Sequence, residues 1–312
     1  MKTLDIITSA FNEEECLPEF FSRIDSVMAQ ESDYSYRLIV IDNGSIDATW
    51  KIIENQSVLD SRIMGLRMSR NFALDSAFTL GLDRANADAV IVMVSDLQDP
   101  PETIPLLLRQ FEGGYDQVLV KILKRKSVPF VRRALSKSFY RIAGSLTGGV
   151  IPESVSDFRL MNRRAYEAVR SLRESHRFIR GLSAWVGFNT THIEIERPPR
   201  FAGSSKWLGM PLLTVVGNSS RSILAYSSSP LSWVSTLGIF MSIGSFLLIS
   251  ALSIFWIVSG VPFPGFGSII GVVLLGFSLT MLCIGVLAQY LALIYEEVKQ
   301  RPLYIVTQET AN

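Results

Sequence analysis

Cysteine and histidine are scarce in this sequence, and their scarcity excludes several classes of protein. The chain has 312 residues but contains only two cysteines and two histidines. Cys16 and Cys283 cannot build a disulfide framework, and no residues near them have the spacing of metal ligands. We therefore expect a reducing compartment, in which both thiols act as small apolar side chains.

Neither sign of charge predominates, because 30 lysines and arginines stand against 29 aspartates and glutamates. This balance argues against a dedicated nucleic-acid binder, so no nucleic-acid partner is expected. A hydrophobic content of 48% is too high for a disordered chain. The length suits one sizeable domain and a smaller second unit.

Charge is absent altogether from residues 222–295, which contain no Asp, Glu, Lys, Arg or His. The pattern predicts a transmembrane hairpin over 231–292, with spans at about 231–258 and 268–292 and a turn-rich linker at 259–266. The alternative is a buried helical hairpin in a soluble protein.

Positive charge flanks the predicted spans at Lys206, Arg221, Lys299 and Arg301, and is absent from the linker. Residues 1–3 precede the first strand-like run, so no signal peptide is expected. We therefore expect a multi-pass protein of the inner (cytoplasmic) membrane, with its catalytic domain and both termini in the cytosol.

The N-terminal part of the chain alternates short β-rich runs with helical patterns. The predicted strands are 4–8, 38–41, 63–68, 89–94 and 118–122, and the predicted helices are 15–29, 47–56, 75–85 and 103–111. This order predicts an α/β domain with a mainly parallel sheet over residues 1–204. An interfacial amphipathic region (205–230) precedes the hairpin, and a cytosolic tail (293–312) follows it.

Polar residues follow the predicted strands at 12–15, 42–45, 69–71 and 96–102, where ligands of parallel sheets bind. The first cluster also has a plain reading as a helix cap, and the second as a turn. Residues 96–102 combine aspartates, an amide and prolines in one stiff loop. Such a loop presents the oxygen ligands that Mg²⁺ or Mn²⁺ bound to a diphosphate requires.

Several familiar catalytic motifs are missing. No G-x-G-x-x-G follows the first strand, and the sequence contains no G-x-x-x-x-G-K-[ST], H-E-x-x-H or G-x-S-x-G. The sequence therefore lacks the main evidence for four classes of enzyme: dinucleotide oxidoreductases, P-loop NTPases, zinc proteases and α/β-hydrolases.

The motifs that are present occur in a characteristic order: AFNEE (10–14), IDNGS (41–45), SRNF (69–72), DLQDPPE (96–102), SDFRLM (156–161), RFAGSSKW (200–207) and YEEVKQRPLY (295–304). Together with the two predicted spans, this set resembles the family-two glycosyltransferases of the GT-A fold. It is most similar to the polyprenyl-phosphate glycosyltransferases, the group that includes dolichyl-phosphate mannose synthase and bactoprenol glucosyltransferase.

The resemblance covers nearly the whole chain and implies a GT-A fold and a reaction. That reaction is the inverting transfer of a sugar from a UDP- or GDP-linked donor to a polyprenyl phosphate, such as undecaprenyl phosphate, at the cytoplasmic membrane face. The product is a lipid-linked sugar donor for glycan or cell-surface modification. The sugar and the nucleobase cannot be read from the residues.

The resemblance also assigns roles to individual residues. Asp157 and Asp96 are the expected catalytic carboxylates, and Asp96 with Gln98 is expected to bind Mg²⁺ or Mn²⁺. The expected nucleotide-binding residues are Ser9, Phe11, Asn12, Glu14, Asp42 and Arg70. From the residues alone, Asp157 is explained equally well as a buried partner of Arg159.

Residues 121–141 hold eight basic side chains and no acidic one. Arg133, Lys137 and Arg141 recur every four residues, which on a helix makes one basic stripe. The segment suits anionic lipid headgroups, the phosphate of a lipid acceptor, or both. We expect Arg125, Arg132, Arg133 and Lys137 to bind the acceptor phosphate, with Arg125 and Arg132 nearest to it by resemblance.

Residues 197–206 begin with Arg-Pro-Pro-Arg and continue with glycine and serine. We expect a lid in which Arg200, Ser205 and Lys206 close over the donor diphosphate. A flexible linker to the membrane helices is the alternative.

Three residues depart from the family pattern. Val94 stands where the motif usually has the first acid of an Asp-x-Asp pair, Asn43 replaces a second acid, and Ser9 replaces a proline. Because valine cannot bind a metal, a catalytically impaired, membrane-anchored nucleotide-sugar-binding homologue is the alternative to an active enzyme. A processive polysaccharide synthase is disfavoured, since the chain lacks its Gln-x-x-Arg-Trp signature and its additional spans.

Small residues at Gly267 and Gly271 open the second predicted span. This spacing lets helices approach closely, so we expect a homo-oligomer.

Overall fold

The computed structural model describes residues 1–123, 155–175, 177–198, 201 and 266–310, together with some positions between 231 and 258. The chain forms two compact units. One unit consists of Met1–Ser219 and Arg301–Asn312, and the other of Ser220–Gln300. The C-terminal residues therefore belong to the same unit as the N-terminal domain.

The first unit is built on an eight-stranded mixed sheet in the order β7-β5-β6-β4-β1-β2-β3-β8. Its strands are β1 (Lys2–Ala10), β2 (Tyr34–Asp42), β3 (Ile63–Met68), β4 (Ala89–Val94), β5 (Gln117–Ile122), β6 (Val155–Asn162), β7 (Thr190–Ile195) and β8 (Val306–Glu309). β1 is parallel to β2 and β4, β2 to β3, and β5 to β7. β6 is antiparallel to β4 and β5, and β8 is antiparallel to β3.

Helices connect the strands of this sheet. They are α1 (Leu17–Met28), α2 (Thr49–Leu59), α3 (Leu74–Arg84), α4 (Ile104–Glu112), α5 (Arg163–Ser171) and α6 (Ile179–Trp185), and a 3₁₀ turn (Pro101–Thr103) precedes α4. The predicted mainly parallel α/β arrangement is confirmed, and each predicted strand and helix of the N-terminal part overlaps an observed one.

The apolar runs of the sequence become strands because both faces of the sheet are covered. In the central strand β1, every residue from Leu4 to Ala10 is buried. On one face, Ile6 belongs to a cluster with Phe20 of α1 and Leu107 of α4. On the other face α3 packs against β1 and β2, and Phe78 is fully buried there. The long buried strands hold the loops at their ends in fixed positions.

The second unit contains α7 (Phe266–Val298). Within the described part of the chain, one helical segment, Gly276–Val298, is long and apolar enough to cross a membrane, with a mean hydropathy of 2.0. The described positions between 231 and 258 are helical. The predicted first span and the hairpin as a whole stay predictions.

The predicted cytosolic tail (293–312) contains regular structure that the sequence did not indicate. Its first residues continue α7 to Val298, and Val306–Glu309 form β8 at the edge of the sheet. β3 is therefore paired on its outer side by a segment that follows the apolar helix in the sequence.

Gly81 of α3 determines how closely this helix approaches the sheet. A Cβ atom at position 81 would lie 2.2 Å from Cγ2 of Ile7 and 3.2 Å from Cδ1 of Ile41. Ile7 cannot easily yield, because its β-branched side chain is stiff and lies in the centre of the sheet. Any larger residue at this position must push α3 away from β1.

We predict that Gly81→Ala lowers the free energy of unfolding by about 1–2 kcal/mol. Overpacking costs about 1–3 kcal/mol and exceeds the advantage of about 1 kcal/mol that alanine has over glycine in a helix. Thermal unfolding measures the change, with Ser76→Ala in the same helix as the control. An unchanged or raised midpoint for Gly81→Ala would contradict the close contact.

Candidate active site

Three loops meet at one edge of the sheet, where β1, β2 and β4 end side by side. Ala10 of β1 pairs with Asp42 of β2, and Ser9 pairs with Val94 of β4. Each following loop turns through a residue with positive φ: Asn12 (51°), Gly44 (75°) and Leu97 (58°). Such values are uncommon for residues other than glycine, so these turns are sharply constrained.

The loop after β1 is tied to the start of α2. Asn12 accepts a hydrogen bond from the Ile46 amide (3.0 Å), and Glu14 accepts one from the Ala48 amide (2.9 Å). In return, the Asn12 amide donates to Ser45 Oγ (2.9 Å). These bonds fix the turn that leads into α2. The helix-cap interpretation is not confirmed, because neither α1 nor α2 has a side-chain capping hydrogen bond at its N-cap.

Asp42 ends β2 and is completely buried. Its Oδ1 accepts a hydrogen bond from the Ser45 amide (2.9 Å), and its Oδ2 lies 3.2 Å from Nε of Arg67. That ion pair lacks hydrogen-bond geometry, and among the described residues Oδ2 has no hydrogen-bond partner. Burial raises the pKa of Asp42, while the hydrogen bonds from Ser45 and the charge of Arg67 oppose the rise. The site thus contains a buried carboxylate oxygen, Oδ2 of Asp42, that can still accept a hydrogen bond.

Asn43 connects the loop after β2 to the loop after β3. Its Nδ2 donates to the Phe72 carbonyl (3.0 Å), and its Oδ1 accepts from the Phe72 amide (2.9 Å). A carboxylate cannot donate the first of these bonds, which gives a structural reason for asparagine at this position. The Arg70 guanidinium stacks on the Phe72 ring at 4.0 Å and is thereby positioned at the same edge.

The loop after β4 separates the roles of its two aspartates. Asp96 is partly exposed, and its Oδ1 accepts a hydrogen bond from the Gln98 amide (3.1 Å). Asp99 is completely buried, accepts from Ser156 Oγ (3.1 Å) and pairs with Arg197 (2.8 Å). Burial raises the pKa of Asp99 to about 6. Asp96 is thus partly accessible at the end of β4, whereas Asp99 anchors β6 and the segment that contains Arg197.

A divalent cation would find few protein ligands here. The described residues contain no group of three His, Cys, Asp or Glu side chains arranged around a common point. Mg²⁺ is nevertheless commonly held by one or two carboxylates together with substrate phosphates. Asp96 therefore fits a cation that takes its remaining ligands from a diphosphate.

Asp157 of β6 is bound by Arg180 of α6. Nε and Nη2 of Arg180 donate to the two carboxylate oxygens at 2.7 and 3.2 Å. Arg159, the partner considered in the sequence analysis, donates its Nε to the Asp157 backbone carbonyl (3.0 Å), whereas the direct ion pair of the Asp157 carboxylate is with Arg180. No feature of the sequence singled out Arg180.

Arg159 is fully buried and serves as a scaffold for this part of the site. Its guanidinium donates to the Ser156 carbonyl (2.8 Å) and to the Ser183 hydroxyl. Burial lowers the pKa of Arg159 to about 10. The arginine holds β6 against α6 and so keeps Asp157 and Arg180 in register.

Asp75, near the start of α3, joins the same cluster. Its Oδ1 accepts a hydrogen bond from the Ile179 amide at the start of α6 (2.8 Å). Burial, and then the negative charge of Asp157, raises the pKa of Asp75 to about 6. Sequence patterns indicated no functional or structural role for this residue.

The structure brings together most of the expected residues that it describes. Ser9 is buried, and its carbonyl accepts from Ser95 Oγ (3.0 Å), while Phe11 and Arg70 lie in the loops after β1 and β3. Seven expected residues lie outside the described residues: Arg125, Arg132, Arg133, Lys137, Arg200, Ser205 and Lys206. Their acceptor and lid roles stay predictions.

We predict that Asp75→Asn stabilises the protein at pH 8 by about 1–3 kcal/mol and has a smaller effect near pH 5. The raised pKa means that the folded state disfavours the ionised carboxylate, so the cost is present above pH 6 and disappears as the pH falls toward the ordinary value. One pKa unit corresponds to about 1.4 kcal/mol. Asparagine keeps the acceptor for the Ile179 amide.

Thermal unfolding at the two pH values measures this difference, and Glu54→Gln on the exposed face of α2 is the control. An Asp75→Asn effect that is equal at both pH values, or larger at pH 5, would contradict the assignment.

Comparison with known proteins places this site in a family. Residues 5–170 match the family described as Glycosyl transferase family 2. The chain is 35% identical to the uncharacterized glycosyltransferase YkcC of Bacillus subtilis over 96% of this chain and 92% of that protein. It is also 35% identical to the bactoprenol glucosyl transferase of Shigella phage SfII over 97% of each.

A solved structure shows the same fold. Glucosyl-3-phosphoglycerate synthase from Mycobacterium tuberculosis, in complex with Mn²⁺, UDP and phosphoglyceric acid, superimposes with a TM-score of 0.50 and 17% identity. The match covers 72% of this chain and 76% of that one. Together with the mainly parallel sheet, it confirms the expected GT-A fold. The chain belongs to glycosyl transferase family 2.

Proposed function

We propose that this protein transfers a sugar from a nucleotide sugar to a polyprenyl phosphate at the cytoplasmic face of the membrane, with inversion at the sugar carbon. One observation carries the proposal. The loops after β1, β2 and β4 meet at one edge of the sheet, next to the buried carboxylate of Asp42 and the partly exposed carboxylate of Asp96. Family membership supports the reaction type. The bactoprenol glucosyl transferases among the relatives support the acceptor class.

In this proposal the nucleoside binds near Asp42. A buried carboxylate oxygen without a hydrogen-bond partner is costly, and a donor group of the base or ribose would remove that cost. Phe11 and Arg70 offer a ring and a cation at the same edge, and Ser9, Asn12 and Glu14 shape the loop that faces the nucleoside.

The diphosphate binds near Asp96 and Gln98, with Mg²⁺ or Mn²⁺. The cation supplies charge neutralisation of the departing nucleoside diphosphate. The residues of this chain orient the donor: Asp96 is held by the turn to Gln98, and Val94 contributes an apolar wall. Arg200, Ser205 and Lys206 would cover the diphosphate and exclude water.

The acceptor approaches from the side of Asp157. A phosphate monoester is largely dianionic near neutral pH, because its second pKa is about 6, so the reaction needs no strong base. The bidentate Arg180 offsets the charge of the Asp157 carboxylate, which would otherwise repel an anionic acceptor. Arg125, Arg132, Arg133 and Lys137 would bind the phosphate at the membrane surface.

Membrane attachment would bring the lipid to this site. The apolar segment Gly276–Val298 is the part of the described chain that suits a bilayer. We propose that it forms one arm of the predicted hairpin, that the catalytic domain is cytosolic, and that the protein is a homo-oligomer whose helices approach at Gly267 and Gly271.

A catalytically impaired nucleotide-sugar binder is the second candidate. Val94 and the absence of a three-ligand cluster among the described residues favour it. This candidate predicts that the protein binds the donor but forms no product at any metal concentration.

The test is transfer of radiolabelled sugar from a panel of UDP- and GDP-sugars to undecaprenyl phosphate, in membranes that contain the protein. We predict a lipid-extractable product from one donor, formed with Mg²⁺ or Mn²⁺ and lost with EDTA. Asp96→Asn and Asp157→Asn should each reduce transfer at least about 100-fold, as expected when a charged group in the reaction centre is removed.

Asp88→Asn is the matched control, because Asp88 is exposed at the opposite edge of the sheet, where it binds Thr3. It should leave transfer unchanged. Absence of product from every donor would overturn the transferase proposal, and so would full activity in both active-site variants.

A further inference from the structure

Hydrogen bonds beyond those of the antiparallel β3–β8 pairing also join the C-terminal strand β8 to the β3 segment. The Ser69 amide donates to the Ile305 carbonyl (2.9 Å), and the Gly65 amide donates to Thr310 Oγ1 (2.9 Å). β8 thus runs alongside β3 up to the point where the loop with Arg70 begins. A segment distant in sequence becomes a wall of the proposed donor site.

Gln308 of β8 contacts the residue that pairs with Asp42. Arg67 and Gln308 are direct neighbours across the β3–β8 ladder, and Nη1 of Arg67 donates to Gln308 Oε1 at 3.1 Å. The same guanidinium donates to the Ser45 carbonyl (3.3 Å) and lies 3.2 Å from Asp42 Oδ2. Arg67 therefore connects β8 to the buried carboxylate.

This contact matters because, among the residues described, Asp42 is the one carboxylate that forms an ion pair with Arg67. It is one-third exposed, and its guanidinium also lies over the Trp50 ring at 5.8 Å. Without the amide oxygen of Gln308, Nη1 loses its partner, and the orientation of the guanidinium depends only on Ser45, Asp42 and the Trp50 ring. The charge that offsets the buried Asp42 would then be less firmly fixed.

An open cleft of about 460 Å³ lies directly beside this chain of contacts. Its lining includes Gly44 and Ser45 from the turn after β2, and Thr307 and Gln308 from β8. The adjacent residue Glu309 is not among the lining residues and instead pairs with Arg84 (3.1 Å). Neighbouring side chains of β8 therefore differ in whether they reach the donor side.

We propose that β8 is a functional part of the nucleotide site and that Gln308 is a positioning residue. Gln308 orients Arg67, and Arg67 holds Asp42 in the rotamer in which Oδ2 accepts a hydrogen bond from the nucleoside. This inference rests on the proposed function, which places the nucleoside at Asp42. Its effect is on donor binding rather than on the chemical step.

The test compares Gln308→Ala with its neighbour Glu309→Ala in the full-length protein. Titration calorimetry with UDP and GDP measures nucleotide affinity, and transfer assays give KM for the donor and kcat. Gln308→Ala should weaken binding and raise KM about tenfold, as expected for loss of a hydrogen bond to a charged group, with kcat within about twofold. Glu309→Ala should change neither, and both variants should unfold at similar temperatures.

Two further variants distinguish positioning from a merely structural role. Gln308→Glu keeps an acceptor oxygen for Arg67 and should retain most of the affinity. In an Arg67→Lys background, Gln308→Ala should have little additional effect, because a residue that acts through Arg67 has nothing left to orient. Additive losses in the double variant would overturn the proposal.

The outcomes also separate this inference from the proposed function. Failure of the wild-type protein to bind either nucleotide would overturn the proposed function itself. Wild-type binding that Asp42→Asn weakens and Gln308→Ala leaves unchanged would overturn the role of β8 alone. Equal losses in Gln308→Ala and Glu309→Ala would likewise overturn it.

Discussion

The parallel pairing of β1 with β2 and β4 is the constraint on which the candidate site depends. Parallel strands of matched register end at the same edge, so three loops far apart in sequence are forced together. Side chains then fix the loops to one another: Asn12 reaches the start of α2, Asn43 holds the backbone at Phe72, and Ser95 bonds to Ser9. The polar edge is preorganised because its loops are bonded to one another and begin at buried, paired strands.

Charged groups at this edge are arranged to support one another at some cost in stability. Asp42, Asp99 and Arg159 are fully buried, and removing a charge from water costs several kcal/mol unless hydrogen bonds and ion pairs compensate. Asp99 and Arg159 are compensated by Ser156, Ser183 and Arg197. Asp42 is compensated less completely, which is the state expected of a group that completes its hydrogen bonds with a ligand.

Much of the fold is predictable from sequence because its inner strands are continuous apolar runs. β1 to β5 and α1 to α4 each overlap a predicted element, although β2 begins at Tyr34, four residues before its predicted start. β6, β7 and β8 were not expected, since β6 buries Ser156 and Arg159, β7 alternates polar with apolar residues, and β8 has only four residues. Strand propensity in such segments is overridden by pairing with neighbours.

The residues of the candidate site likewise divide into those that can be predicted from sequence and those that cannot. Strand-end motifs such as those at Asp42 and Asp96 are local in sequence and can be found there. The partners Arg67, Arg180 and Asp75 lie on other elements, carry no motif, and become evident only when the chain is folded. Asn43 differs from the family pattern, yet its two bonds to Phe72 give the departure a physical reason.

Hydrogen–deuterium exchange with UDP or GDP and Mg²⁺ tests the central claim most directly, because it locates the bound donor on the chain. The account predicts slower exchange in the loops at 10–14, 42–48, 69–72 and 96–99, and unchanged exchange at the opposite edge around Asp60 and Arg62. Protection confined to that opposite edge, or no protection at the strand-end loops despite measurable nucleotide binding, would contradict it.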